Sequence, residues 1–441
     1  MARARHWGPE VASNLARENS SVLSCTRTVA ECALDTKEAT VKTLMKRFVV
    51  LVAALLTGVA HGDVFKASQD NRQTQYHVMS LPSLGGTVSR GNSVNNRGWV
   101  AGYSNLAGNQ SRHATLWLDG TKVDLRTLGG PNSSVAWPVK NNVGRLAGIT
   151  QTATPDPLGE NWSCSAFFPP ATATGYVCLG FVWESGVMRP LPTLGGSNGF
   201  ATGSNDLGQT VGWAENTVHD PTCAPPQVLQ FKAVIWGPGK DQIQELPPIP
   251  GDTSSAATAI NDRGQVVGIS GTCDQAVGRY TAAHAVLWEK GTVTDIGNLG
   301  RLSWNTPMAL NQQGDIAGFA AVSDSDPDNP QLHAFLLAKG GSIQDLGTLS
   351  GDLYSEAHGL NERRQVVGVS CSNADGSGIC RAFLWQHGVM TDLNTLVAPG
   401  YTNLLTTAQD INDLGVITGR VLDPITGERP AFLATPSLTR P

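Results

Sequence analysis

Apolar and polar residues alternate along most of this chain in short runs, and Gly, Asn and Asp interrupt them at close intervals. A period of two broken by turn residues predicts short strands and tight turns rather than helices. The runs also repeat. Asn-x-x-Gly-x-x-x-Gly occurs at Asn95, Asn141, Asn205, Asn261, Asn311 and Asn412, and a copy at Asn361 has Arg364 in place of the first Gly. The closing glycines are Gly102, Gly148, Gly212, Gly268, Gly318, Gly368 and Gly419, spaced by 46, 64, 56, 50, 50 and 51 residues. Each copy reads as four strands. Strand A ends at the Asn, and a Gly-bearing hairpin turn leads to strand B. Strand C is HAVLW-like, and strand D follows a second Gly turn and ends in a DL-like pair. Four-stranded units of about 40–50 residues are the size of propeller blades.

The phase of the pattern predicts how the chain closes. It opens with a lone strand D at residues 76–81 and ends with a strand C at 431–433 that has no D after it. The first strand can therefore complete the seventh blade, which removes both exposed edges. The expected fold is all-β: one seven-bladed β-propeller domain over residues 63–441. An open β-solenoid, which would need capping repeats, is the alternative.

Aligned strands C show three informative columns. One is small: Ala114, Gly180, Ala233, Ala285, Ala334, Ala382 and Ala431. It predicts close approach of a neighbouring strand. A second carries Trp117, Trp183, Trp236, Trp288 and Trp385, which reads as packing. The third holds His113, Leu179, Lys232, His284, His333, Arg381 and Pro430. Opposite it, near the end of strand D, stand Asp124, Pro190, Glu245, Asp295, Asp345, Asp392 and, by closure, Ser80. Where the base is lost so is the acid, as a cross-strand pair requires. These histidines are therefore read as structural.

Composition fits this picture. The 441 residues include 49 Gly, only 15% are charged, and the formal charge is −5. Coiled coils and charged disordered tails are excluded, and a nucleic-acid partner gains no electrostatic help. Residues 48–56, FVVLVAALL, follow Lys46 and Arg47 and precede small residues ending at Gly62. That is a secretory signal over 45–62, too short to span a bilayer. Cleavage is expected after Gly62, with Ala60 as the alternative. Translation is expected from Met45, leaving 1–44 as a mis-assigned leader; a long leader is the alternative. Residues 1–62 hold eight Lys or Arg and five Asp or Glu, so the remainder carries a formal charge of −8. No later run is long enough for a membrane span.

Six cysteines follow the signal, all between strands B and C. In an exported chain they suggest disulfides, with Cys164–Cys178, Cys371–Cys380 and the inter-blade Cys223–Cys273 as pairs. Gly195-Gly196-Ser197-Asn198-Gly199 matches G-x-S-x-G but lies in an inter-strand loop, not a nucleophile elbow. Residues 324–328, DSDPD, start like an EF-hand loop but lack its Gly and closing Glu, so they read as a solvated acidic loop. No catalytic residue, metal ligand or cofactor is nominated. The longest B–C loop is in blade two, residues 150–179, and carries Trp162, Phe167, Phe168 and Tyr176. Insertions on one face often mark a binding face. The alternative is that these aromatics cover a small core of their own.

HAVLW, HAFLL, INDRGQVVG, DIGNLG and DLGTLSG resemble the HAF-repeat family of extracellular bacterial proteins, named for the triplet found here as His333-Ala334-Phe335. The resemblance covers residues 76–434 and implies export and a β-repeat fold, with no activity to carry over. The expectation is a secreted or periplasmic, non-enzymatic scaffold that binds a glycan or an extracellular protein on its long-loop face. A propeller glycosidase or polysaccharide lyase is the alternative.

Overall fold

The computed structural model describes residues 74–160, 162–274, 278–322 and 331–438. The expected leader, the expected signal segment and the expected acidic loop at 324–328 lie outside them. The described chain forms seven four-stranded antiparallel sheets arranged as the blades of a β-propeller.

Strand β1 (Thr74–Ser80) comes first and belongs to the last blade. Blade one is β2 (Gly85–Val94), β3 (Val100–Leu106), β4 (Arg112–Leu118) and β5 (Thr121–Asp124). Blade two is β6 (Gly129–Ser134), β7 (Leu146–Pro155), β8 (Tyr176–Glu184) and β9 (Val187–Pro190), and blade three is β10 (Gly199–Ser204), β11 (Thr210–His219), β12 (Leu229–Trp236) and β13 (Ile243–Glu245). Blade four is β14 (Ser254–Ile260), β15 (Val266–Gly271), β16 (His284–Glu289) and β17 (Thr292–Asp295), and blade five is β18 (Thr306–Leu310), β19 (Ile316–Ala321), β20 (Leu332–Leu337) and β21 (Ile343–Gly347). Blade six is β22 (Tyr354–Leu360), β23 (Val366–Cys371), β24 (Cys380–Gln386) and β25 (Val389–Asp392). Blade seven is β26 (Leu404–Ile411), β27 (Ile417–Leu422) and β28 (Ala431–Leu438), and β1 pairs with β28 as its outer strand, Ser80 opposite Phe432. The ring closes as the strand phase predicts. The pattern did not predict the short helix α1 (Trp162–Phe167), which lies in the blade-two loop. Among the described residues no helix is long and apolar enough to cross a membrane.

The repeated residues have repeated jobs. A Cβ on any closing glycine would collide with the strand A carbonyl opposite: Arg90 for Gly102, Phe200 for Gly212 and Glu356 for Gly368. The small strand C column meets the next blade. Ala114, Ala233, Ala334 and Ala431 are fully buried and donate their N–H to Ser133, Ser255, Ser355 and Ser89 at 2.8–3.0 Å. Trp117, Trp236 and Trp288 are buried, and each indole N–H donates to the carbonyl of Pro82, Pro192 or Pro247 in the preceding D–A loop, at 2.7–2.8 Å. Apolar burial with its polar end satisfied thus joins consecutive blades.

The six cysteines form the three expected pairs: Cys164–Cys178, Cys223–Cys273 and Cys371–Cys380. The first ties α1 to β8, the second links blades three and four, and the third crosses the β23–β24 pair. Arg364 keeps the left-handed turn geometry of the glycine it replaces, with φ 56°. Its guanidinium pairs with the buried Asp315 at 2.8 Å.

Candidate binding site at one end of the axis

The base-and-acid columns meet as expected in four blades. Nδ1 of His113, His284 and His333 lies 2.8–2.9 Å from Asp124, Asp295 and Asp345, and Arg381 contacts both Asp392 and Asp352. Burial works against the charges of Asp124 and Asp345. The bonds to their histidines and to backbone N–H groups outweigh it and hold both carboxyls below the usual range. The fifth pair differs: Lys232 donates to the Thr253 carbonyl at 2.6 Å and feels Glu245 as a neighbouring charge. These residues sit out along the blades, away from the axial cavity described below.

The end of the axis formed by the A–B turns is a closed hydrogen-bonded ring. The residue after each repeat Asn donates its N–H to the same position in the next blade: Asn96 to Asn142, Asn142 to Asp206, Asp206 to Asp262 and Asp262 to Gln312. Gln312 donates to Glu362, Glu362 to Asp413 and Asp413 back to Asn96, all within 2.6–3.0 Å. The repeat Asn itself accepts from its own turn. Asn361 takes the N–H of Arg363 and Gln365 and passes its amide to the Asn412 carbonyl at 3.0 Å. Lys140 reaches across to Asp410 and the Ile411 carbonyl. The space left here is about 210 Å³. Its carboxylates cap backbone N–H groups.

The opposite end opens differently. Strand A has a bulge three residues before the repeat Asn, at Asn92, Thr202, Thr258, Met308, His358 and Gln409. A bulge re-aims a side chain, and Thr258, Met308, His358 and Gln409 line an axial cavity of about 420 Å³. The column two residues earlier supplies Arg90, Ala136, Thr306, Glu356 and Thr407. Trp137, Phe167, Trp304 and Tyr354 add aromatic surface to the wall.

Of the loop aromatics read from the sequence, Phe167 reaches this cavity and packs on Trp137 and Phe200, with ring centroids 5.7 and 5.0 Å away. Phe168 is 4% exposed and sits in the core cluster beneath the loop. Tyr176 is half-buried at the start of β8, opposite Pro155, and does not line the cavity. The backbone of Trp162 begins α1; its side chain lies outside the described residues.

Among the described residues Glu356 is the only carboxylate that lines the cavity. It is held by His358 Nε2 at 2.9 Å and by the Tyr354 hydroxyl. Burial opposes its charge, but those bonds and the positive field of Arg90 outweigh it and keep the carboxyl below the usual range. The cationic side is larger. Arg90 and Arg420 line the cavity, and Arg112 stands behind them, 4.1 Å over the Tyr103 ring. Burial pushes the Tyr103 phenol up, yet the three arginines pull it down to about 8. Arg112 donates to the Phe167 carbonyl at 2.7 Å, fastening the blade-two loop beside the cavity. The buried Nε atoms of Arg90, Arg112 and Arg420 and the Trp137 indole N–H have no hydrogen-bond acceptor.

These residues were not singled out in the sequence, although a signal existed. The strand B column that faces the small residues of strand C reads Tyr103, Ile149, Trp213, Ile269, Phe319, Val369 and Arg420. One arginine in an otherwise aromatic or aliphatic column breaks the repeat. Among the described residues no group of three or more His, Cys, Asp or Glu is placed to hold a metal ion.

No known family profile matches the chain, and no curated protein matches it. Solved structures do. A gluconolactonase from Xanthomonas campestris aligns at 15% identity and TM-score 0.27, over 47% of this chain and 70% of its own. Trypanosoma rangeli sialidase in complex with sialic acid aligns at 10% identity and TM-score 0.36, over 83% of this chain and 58% of its own. Bacillus subtilis arabinanase Arb43A aligns at 10% identity and TM-score 0.24, over 52% and 89%. Similarity this low carries no argument about function.

Proposed function

We propose that the protein is an exported, non-enzymatic binding module that holds a glycan in the axial cavity on its long-loop face. The observation that carries this reading is the make-up of the cavity. About 420 Å³ is walled by Trp137, Phe167, Trp304 and Tyr354, with threonine hydroxyls between them and a single carboxylate already bonded on both sides. Aromatic faces with dispersed polar groups suit a sugar ring. Glycosidases need two acids about 5–10 Å apart, and among the described residues the lining offers Glu356 without a second. Export is supported by the basic-then-apolar segment at 45–62 and by three disulfides, which persist in oxidising compartments.

A glycan-array screen followed by calorimetry tests the reading. The wild type is expected to bind, and Trp304→Ala is expected to abolish binding while the fold survives. Release of reducing ends or unsaturated products from a bound polysaccharide would replace the binder with the hydrolase or lyase alternative.

A further inference from the structure

We infer that the axial cavity selects a glycan carrying an anionic group, a carboxylate or sulfate, which Arg90 and Arg420 receive. The inference rests on the glycan-binding reading and narrows its ligand. Arg90 from blade one and Arg420 from blade seven come from neighbouring blades and both line the cavity. Among the described residues neither has a carboxylate within ion-pair distance, and neither Nε has an acceptor. Both side chains are partly buried with their Nε atoms shut off from water, and charges withdrawn from water in this way are ordinarily paired. Here the charges converge with a third, Arg112, around the Tyr103 phenol, and among the described lining residues they face one carboxylate that is already engaged. The Trp137 indole N–H adds another donor without an acceptor in the same wall.

The grouping stands out against the rest of the chain. The residues after the signal segment carry a formal charge of −8, yet this cavity is cationic. It also stands out against the repeat. Other blades place Ala136, Phe200, Ala256, Thr306, Glu356 and Thr407 where blade one places Arg90, and aromatic or aliphatic residues where blade seven places Arg420. The blade does not need arginine at either position. Planar guanidinium groups match the paired oxygens of carboxylates and sulfates, and the aromatic wall supplies the surface for the ring that carries them.

The test titrates the full chain after the signal segment with trigalacturonate, with its methyl ester, with a sulfated disaccharide and with a neutral trisaccharide. Variants Arg420→Val and Arg90→Thr use residues that sister blades carry at those positions, so the fold is expected to survive; circular dichroism checks it. At least one anionic probe is expected to bind about tenfold or more tighter than the uncharged ones, with tight binding lost in both variants and weakened by salt. The arms separate carboxylate from sulfate. Equal binding of charged and uncharged probes, unchanged in the variants, overturns the anion inference and leaves the glycan reading standing. Binding of none of the four by the wild type overturns the anion inference. If the array also finds no ligand, the glycan reading falls with it.

Discussion

The two ends of the propeller axis are built from the same repeat and have opposite characters. At the A–B end every blade contributes the same turn, and side-chain-to-backbone bonds run unbroken from Asn96 around to Asp413 and back. At the B–C end the same strands A contribute Arg90, Glu356, His358 and Met308 at positions that vary from blade to blade. Groups at the first end are almost fully spent on one another. At the second, three arginine Nε atoms and one indole N–H remain unspent. Regularity closes the ring, and departures from regularity collect where a ligand fits. The ring at the first end includes the carboxylates of Asp206, Asp262, Glu362 and Asp413, each spent on a backbone N–H, whereas Arg90, Arg112 and Arg420 gather at the second.

This contrast can be broken in several ways. The largest effect is expected from Asn361→Leu. It removes two bonds accepted from the turn and one donated to blade seven, so chemical denaturation should show a loss of about 3 kcal/mol. A loss under about 1 kcal/mol would mean the ring does not hold the blades.

Next is a pH effect at the B–C end. Glu215 is fully buried, and burial together with the neighbouring Glu160 raises its pKa from 4.5 to about 7. The folded state then holds this proton more tightly than the unfolded chain. Its contribution is present below about pH 4.5 and is lost as pH rises through about 7. Between pH 5 and 8 stability should fall by about 2–3 kcal/mol from this group, and the slope should flatten in Glu215→Gln. An identical slope in wild type and variant would contradict the assignment.

A smaller effect tests the ring at its closing link. Asp413→Ala removes the acceptor for the Glu362 N–H and a bond from Asn96 Nδ2 at an exposed site, with an expected cost of about 1 kcal/mol. Smallest of all should be Arg420→Val. Exchanging a cation that has no carboxylate partner, only the Tyr103 phenol, for a residue type that sister blades carry should change stability by less than about 0.5 kcal/mol, or raise it. A loss as large as that of Asn361→Leu would make Arg420 structural and erase the difference between the ends.

The ring was legible because its causes repeat. Gly at each closing position, Asn at each turn, and paired gain and loss of His and Asp recur at fixed spacing, and pairing of β1 with β28 follows from strand phase alone. The site was less legible because it is made of exceptions. Reading strands C for chemistry led to the structural pairs His113–Asp124 and His333–Asp345. The cavity draws on strands A, on strands B of blades four to seven and on the loops beside them, where residues distant in sequence meet. Phe167 and Phe168 show the other limit. They are adjacent in sequence, yet one lines the cavity and the other fills the core. Which face each takes depends on α1, whose six residues are too few to show a period.

Hydrogen exchange followed by mass spectrometry, with and without the tightest anionic oligosaccharide, tests the division between the two ends most directly. Protection is expected in peptides containing Arg90, Tyr354 to His358 and Arg420, with none added in the turns at Asn96, Asp262 and Asp413. Protection confined to those turns, or spread evenly over both ends, would contradict it.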